Sequence, residues 1–257
     1  MITFNREFLD RFPASLQRDL NKFTSAIDAL EETLVLAPQI AWPPPSHPHD
    51  LFDYAVETAW QSNGAKGIAL CKGIIQAINS NNYLSFAVLF RAFFEQVLLL
   101  HEYWVSRIMP TVKECANRGN VSSVELQKLT NELSEAVRRT KIEYEEFFNL
   151  NPNPLSADKV SLEQVGLNKA ARNWDNAGGK LGNYSISSLY TILCDFAHPN
   201  LGSTVLCMSN GLRFIPNSEG SLGIKVFAQL YPSLAKILQE FADLQNKLLL
   251  LKFKPVQ

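Results

Sequence analysis

Apolar side chains recur every third or fourth residue along most of this chain, and that spacing predicts helices. In residues 4–36 the apolar positions run from Phe8 to Leu34 at this spacing. Pro13, near the start, is expected to kink the helix or to separate a short first turn from it, because proline has no amide donor. Residues 38–50 contain three consecutive prolines and predict a stiff, extended connector.

The most apolar stretch is residues 82–107, and its centre carries only three strongly polar side chains, Arg91, Glu95 and Gln96. Arg91 and Glu95 are four residues apart, so on a helix they share a face and can form an ion pair. The stretch is long enough to cross a membrane, but two charges near its centre would be costly in lipid. We therefore expect the core helix of a soluble protein.

A turn signal, Asn79-Ser80-Asn81-Asn82, separates this stretch from another apolar-periodic segment, residues 51–79. The two segments should therefore form an antiparallel pair of helices over 51–79 and 82–108. Pro110 is expected to end the second helix or to lie just past it.

The second half of the chain predicts four more helices and one hairpin. Ser122 and Glu125 have the spacing of a capping box, which opens an amphipathic surface helix. Thr204–Met208 and Leu212–Ile215 flank Ser209-Asn210-Gly211, a hairpin signal. The glycine-rich segment from Trp174 to Gly182 predicts a flexible segment, either a loop beside a functional site or a simple connection. The predicted helices span residues 122–149, 161–172, 184–198 and 221–252.

Together these elements predict an all-α protein, a bundle of five to six long helices with one short β-hairpin. Residues 1–257 are expected to form a single helical domain. Within it, an N-terminal helix over 1–37 is joined by the linker 38–50 to a bundle core over 51–252.

Composition narrows the possible functions. Apolar residues make up 46% of the chain and charged residues 19%, and the formal net charge is −1, so only a local basic patch could hold nucleic acid. No two of the four cysteines are close enough for a CxxC pair, which indicates free thiols in a reducing compartment. The charged N-terminus has no signal-peptide pattern. We therefore expect a cytoplasmic protein with no membrane partner.

No motif in the sequence predicts a cofactor or a metal site. The segment Gly64-Ala65-Lys66-Gly67 lacks the spacing of a phosphate-binding loop. His47 and His49 lie in the proline-rich linker without a nearby third ligand, so we interpret them as solvated linker side chains.

Four residues on two apolar helices are candidates for catalysis: Arg91, Glu95, Asp195 and His198. A guanidinium held by a carboxylate can bind phosphate or stabilise developing negative charge. His198 at a helix C-terminus, one turn after Asp195, could act as a general acid or base near neutral pH. The structural alternatives are an ion pair that fixes helix register and a histidine that only terminates its helix.

Two segments, LFRAFFEQVLLLHEYW and SLYTILCDFAHPN, resemble a family of bacterial helical proteins that is itself similar to the HEPN superfamily. The resemblance spans roughly residues 55–250. It implies a four-helix core, a place in toxin–antitoxin or antiviral defence systems and, as in many HEPN proteins, metal-independent ribonuclease activity. HEPN ribonucleases carry an arginine four to six residues before the histidine. Here those positions hold Ile192, Leu193 and Cys194, so Arg91 of another helix is the candidate cation.

Three functions remain open from the sequence. In the first, an HEPN-like defence or stress protein acts on RNA or a nucleotide, with Arg91 holding the phosphate, His198 as acid or base, and Glu95 and Asp195 orienting them. In the second, the chain is a non-enzymatic adaptor that binds a partner protein or forms a homodimer. In the third, it is a small-molecule sensor with an apolar pocket beside Trp104 and the neighbouring phenylalanines. Whether the protein is an enzyme is not decided by the sequence.

Overall fold

The structure, a computed structural model, is an all-α bundle with one two-stranded β-hairpin, as the sequence predicts. It describes residues 2–40, 44–138, 166–198, 201–208 and 221–251. The helices are α1 Arg6–Leu9, α2 Ala14–Val35, α3 Pro48–Asn79, α4 Tyr83–Tyr103, α5 Met109–Arg118, α6 Ser123–Arg138, α7 Leu167–Asn176, α8 Ile186–Ala197, α9 Leu201–Val205 and α10 Ser221–Leu249. The strands are β1 Lys180–Leu181 and β2 Tyr184–Ser185.

Helices α3 and α4 form the predicted antiparallel pair at the centre of the bundle. Asn81 is left-handed at φ 53° and closes α3, with its amide donating to the Ile78 carbonyl and the Asn82 amide donating to the Ala77 carbonyl. The Asn82 side chain then caps α4 by accepting from the Ser85 amide at 3.0 Å. Three residues therefore end one helix and begin the next.

The other helices pack around this central pair. Helix α6 lies against α3, α7 and α8 lie against α4, and α2 and α10 contact α3. The phenylalanines of α4 are fully buried and belong to the core. The N-terminal segment joins the same core, because Phe8 packs edge-on against Phe227 of α10 at 5.3 Å between ring centroids.

Within the described residues, one stretch of helix is long and apolar enough to span a membrane, Tyr83–Arg118. In its most apolar window, 56% of the residues are buried inside the bundle. This burial is what the core helix of a soluble protein requires, and it agrees with the expectation from Arg91 and Glu95.

The prediction that Pro110 ends the central helix or lies just past it is wrong, because the helix runs on to Arg118. After α4 the chain makes a π-helical turn at Trp104–Ile108 and continues directly into α5, where Pro110 occupies the first turn. A π turn changes the hydrogen-bond spacing just before the position where proline removes an amide donor, so the helix continues through it.

The predicted flexible segment from Trp174 to Gly182 is also wrong, because it contains a helix end and a strand. Trp174 and Asp175 belong to α7, and Trp174 is buried against the ring of His101 at 3.9 Å between centroids. Strands β1 and β2 follow, joined by a two-residue loop in which Gly182 has φ 62°.

Other predicted boundaries shift or lie outside the described residues. Helix α3 begins at Pro48, inside the predicted linker, since proline is favourable in a first helical turn. Thr204 and Val205, predicted as strand, are helical in α9, Leu206 and Cys207 form a turn, and residues 209–215 of that predicted hairpin lie outside the described residues. Residues 139–149 of the predicted surface helix and the start of the predicted short helix at residue 161 also lie outside the described residues.

Candidate functional site

Helices α4 and α8 bring three of the four predicted site residues together. Arg91 Nε donates to Glu95 Oε1 at 2.8 Å, and Arg91 NH1 lies 3.0 Å from His198 Nε2. Arg91 and His198 are 107 residues apart in sequence, so the fold alone creates this contact. The predicted ion pair and the predicted helix-terminal histidine are therefore parts of one cluster.

The antiparallel packing of α8 on α4 places the residues of this cluster side by side. Phe94 of α4 contacts Tyr190 of α8, with ring centroids 6.2 Å apart, and one turn further along Arg91 meets His198. His198 is the first residue past α8 and has an extended backbone, while its amide still donates to the Cys194 carbonyl at 3.0 Å. Its ring therefore leaves the helix end toward Arg91.

The start of α8 is fixed by two side chains. Ser185 accepts from the Ser188 amide at 3.2 Å, as an N-cap residue does. The Asp175 carboxylate, from α7, accepts from the amides of Ile186 and Ser187 at 2.6 and 3.0 Å. These two amides would otherwise lack partners at the helix end. The caps therefore hold the helix that carries His198.

The cluster lies at the protein surface and is accessible to solvent. The Arg91 and Glu95 side chains are 23% and 25% exposed, and His198 is exposed. Partial burial opposes the charge on Arg91, but the hydrogen bond and charge of Glu95 outweigh it and raise the pKa of Arg91. The guanidinium is thus a permanent cation at a position that a solute can reach.

The Arg91–His198 contact favours one tautomer of the histidine ring. Every guanidinium nitrogen is a donor, so a hydrogen bond from Arg91 needs His198 Nε2 as the acceptor, and the tautomer that offers this acceptor carries its proton on Nδ1. Arg91 NH2 donates to no side chain or carbonyl in the described part of the chain, which leaves it available to a ligand. The cluster combines a cation with free donors and a neutral imidazole.

Asp195 does not join the cluster. It is exposed and makes no hydrogen bond or ion pair with any described residue, so the predicted role of Asp195 in orienting His198 lacks the contact that it needs. The face of α8 that meets α4 carries Tyr190, Cys194 and His198, whereas Asp195 lies on the solvent side of this face. Because α8 packs on α4 through the face that carries Cys194, Asp195 is turned away from Arg91.

Tyr190 and Cys194 are neighbours of the cluster that were not among the four predicted site residues. Burial, the neighbouring Cys194 thiol and the charge of Glu95 raise the pKa of Tyr190, while Arg91 partly offsets them. The signal that could have found them is their spacing, since they precede His198 by two turns and one turn of the same helix. Tyr190 and Cys194 therefore form the wall beside Arg91.

Other candidates from the sequence lie elsewhere. The rings of His47 and His49 stack at 5.8 Å, and His47 Nδ1 lies 4.0 Å from Asp50 Oδ2. Among the described residues, no group of three or more His, Cys, Asp or Glu side chains is placed to hold a metal ion. The four cysteines are free thiols.

Comparisons with family models, with characterised proteins and with solved structures found no match to this chain.

Proposed function

We propose that this chain is an HEPN-like cytoplasmic protein of bacterial defence or stress response that cleaves RNA without a metal ion. One observation supports the proposal: Arg91 and His198 meet at 3.0 Å on an accessible surface, held by Glu95. An arginine paired with a neutral histidine is the combination that phosphodiester cleavage through the 2′-hydroxyl needs. A phosphate-bearing nucleotide is the smaller substrate that the same groups could bind.

The reaction follows from the positions of the two groups. Binding of the phosphate draws the Arg91 guanidinium away from His198, so that His198 Nε2 becomes free to take the proton of the ribose 2′-hydroxyl, and the 2′-oxygen attacks phosphorus. The bond from phosphorus to the 5′-oxygen breaks, and the leaving oxygen takes a proton from water. The products are a 2′,3′-cyclic phosphate and a free 5′-hydroxyl. Arg91 stabilises the charge on the non-bridging oxygens through its NH2 group.

Glu95 positions the guanidinium in this mechanism. The Glu95 carboxylate accepts a hydrogen bond from Arg91 Nε and so fixes the plane of the guanidinium group. This orientation directs the two terminal nitrogens toward His198 and the surface. The overall charge of −1 gives the protein no general affinity for nucleic acid. Specific contact at this cluster would therefore carry most of the binding.

The test is cleavage of single-stranded RNA by the full-length protein in the presence of EDTA. We expect His198→Ala and Arg91→Ala to lose cleavage by about 10²-fold or more, as removal of a general base does. Asp195→Ala is the matched control on the same helix and should cleave like wild type. A substrate with one 2′-deoxyribose should resist cleavage at that position. Equal cleavage by wild type and His198→Ala would refute the assignment.

A second candidate function is protein–protein assembly through the same face of α4. Leu84 and Val88 are 37% and 45% exposed and lie in register with Arg91 and Glu95, at spacings of three and four residues. An exposed apolar pair beside an ion pair suits an adaptor that binds a partner protein or a second copy of itself. The predicted homodimer would use this surface.

Two measurements separate the two functions. If the Arg91–Glu95 pair is structural, Arg91→Ala should cost several kcal/mol of unfolding free energy, as breaking a buried pair does. Because the pair is about one quarter exposed, we expect a cost of only about 1 kcal/mol together with loss of RNA cleavage. Sedimentation of Leu84→Glu and Val88→Glu tests assembly, since each variant should dissociate a dimer formed on this face.

A further inference from the structure

A cavity of about 30 Å³ lies between α2, α3 and α10, on different helices from the Arg91–His198 cluster. Thr33 and Asn246, which line it, are exposed, so the cavity opens to the surface. Its other polar lining side chain is Gln245, and no lining residue is charged. The walls are apolar: Leu30, Leu34, Trp60, Ile68, Phe241 and Leu249.

Gln245 is the unusual residue of this cavity. Its side chain is only 3% exposed, and neither its Nε2 nor its Oε1 has a hydrogen-bond partner among the described residues. A buried primary amide without partners is costly, and nearly all buried polar groups in proteins are paired. The amide thus presents one donor and one acceptor, side by side, to the cavity.

Gly64 keeps the space beside this amide open. A Cβ at position 64 would lie 2.9 Å from Leu34 Cδ1 and 3.3 Å from Gln245 Oε1, so any other side chain there would enter the cavity. Glycine is unfavourable within a helix, and Gly64 lies near the middle of α3. The backbone of α3 therefore forms a flat wall next to the Gln245 amide.

We propose that this cavity binds a neutral small molecule through a carboxamide or lactam group. Such a group carries a donor and an acceptor side by side and pairs with both atoms of the Gln245 amide. The absence of charged lining residues favours a neutral ligand over a carboxylate or an ammonium. A volume of about 30 Å³ holds roughly two water-sized groups, so only the polar head enters. The apolar body of the ligand then lies at the mouth, where Thr33 and Asn246 are exposed and Leu249 is half-buried.

The site differs from the sensor pocket expected beside Trp104. The phenylalanines of α4 near that position are fully packed, whereas Trp60 lines the observed cavity. The proposal also does not rest on RNA cleavage, because none of its residues belongs to the Arg91–His198 cluster. Failure of one proposal therefore leaves the other intact.

The test uses benzamide as the probe, with NMR of the full-length protein and a crystal soaked in the same compound. We expect benzamide to shift the side-chain amide signals of Gln245 and the indole signal of Trp60, with saturation at about 10 mM. Two control compounds of similar size are ethylbenzene, which lacks the amide, and benzoate, which is charged. Each should bind at least about tenfold more weakly than benzamide.

Gln245→Leu is the decisive variant. It replaces the unpaired amide by an apolar side chain of similar size, so it should fold and unfold at a higher temperature than wild type. It should lose benzamide binding by about tenfold while binding ethylbenzene better. Gly64→Ala should also block binding, because its Cβ enters the cavity. Equal benzamide binding by wild type and Gln245→Leu, or a soaked crystal that shows only water beside Gln245, would overturn the proposal.

Discussion

Arg91 NH1 and His198 Nε2 lie 3.0 Å apart, although they come from two helices and are 107 residues apart in sequence. Because arginine can only donate, this distance requires an unprotonated Nε2 on the histidine. Protonation of His198 would place two cations in contact and would break the pair. The protonation state of the histidine and the geometry of the cluster are therefore linked.

We predict that the neutral His198 ring carries its proton on Nδ1. Nitrogen-15 NMR of the histidine ring distinguishes the two tautomers directly, and wild type at neutral pH should show Nε2 as the unprotonated nitrogen. In Arg91→Lys the compact ammonium cannot contact both Glu95 and His198 as the planar guanidinium does. Both tautomers of the His198 ring should therefore be populated in this variant. A protonated Nε2 in wild type at neutral pH would contradict the observed contact.

A second prediction concerns Asp175, which holds the beginning of the helix that carries His198. Its carboxylate accepts from the amides of Ile186 and Ser187, so Asp175→Ala should lower the unfolding free energy by about 1–2 kcal/mol. Asp175→Asn keeps one acceptor oxygen and should lie between Ala and wild type.

Urea unfolding of the three proteins measures this effect, with Asp195→Ala as the control. Asp195 is exposed on α8 and makes no hydrogen bond with a described residue, so its removal should change stability by less than about 0.5 kcal/mol. If Asp175→Ala were as stable as Asp195→Ala, the two amide contacts would contribute nothing.

The helices of this protein could be predicted because their apolar spacing and end signals agree. Ser122 and Glu125 form the expected capping box, with Ser122 Oγ accepting from the Glu125 amide and Glu125 Oε2 accepting from the Ser122 amide at 3.0 Å. The turn at Asn81 also follows from local chemistry, since asparagine tolerates the left-handed region. Such features depend on a few neighbouring residues, which a sequence shows directly.

The features that sequence reasoning missed depend on contacts between distant segments. The π turn at Trp104–Ile108 allows the helix to continue past Pro110, and no sequence signal near Pro110 predicts this turn. The predicted contact of Asp195 with His198 is not formed in the structure, for a similar reason. Asp195 and Cys194 both lie about one turn before His198, and only packing on α4 decides which of them faces Arg91.

A third prediction is a pH-dependent stability caused by His101. Its ring stacks on Trp174, and burial, together with the charge of Lys247, lowers its pKa to about 4 from the ordinary 6.5. Between these two pH values the unfolded chain binds a proton that the folded protein does not. The neutral His101 ring therefore makes its full contribution to the unfolding free energy above about pH 6.5. This contribution is lost as the pH falls toward about 4.

His101→Phe isolates this contribution, because phenylalanine keeps a ring against Trp174 and cannot titrate. We expect the unfolding free energy of His101→Phe to rise relative to wild type as the pH falls from 6.5 to 4, with a constant difference above 6.5. Urea unfolding at several pH values measures this difference. A difference that does not vary with pH would show that His101 titrates alike in the folded and unfolded states.

The last prediction concerns the contact between α3 and α10 at Gly67. A Cβ at position 67 would lie 2.3 Å from Phe241 Cζ, and Phe241 is itself fully buried against Phe93. The ring cannot move away without disturbing the core, so Gly67→Ala should lower the unfolding free energy by about 1–3 kcal/mol despite the better helix propensity of alanine.

Gly73→Ala is the matched control on the same helix, since its Cβ would meet only the partly buried Leu89 side chain, at 3.2 Å. Leu89 can shift, so this variant should be as stable as wild type or about 1 kcal/mol more stable. Thermal unfolding of both variants decides the matter, and a Gly67→Ala protein as stable as Gly73→Ala would mean that α10 does not pack on α3 at this distance.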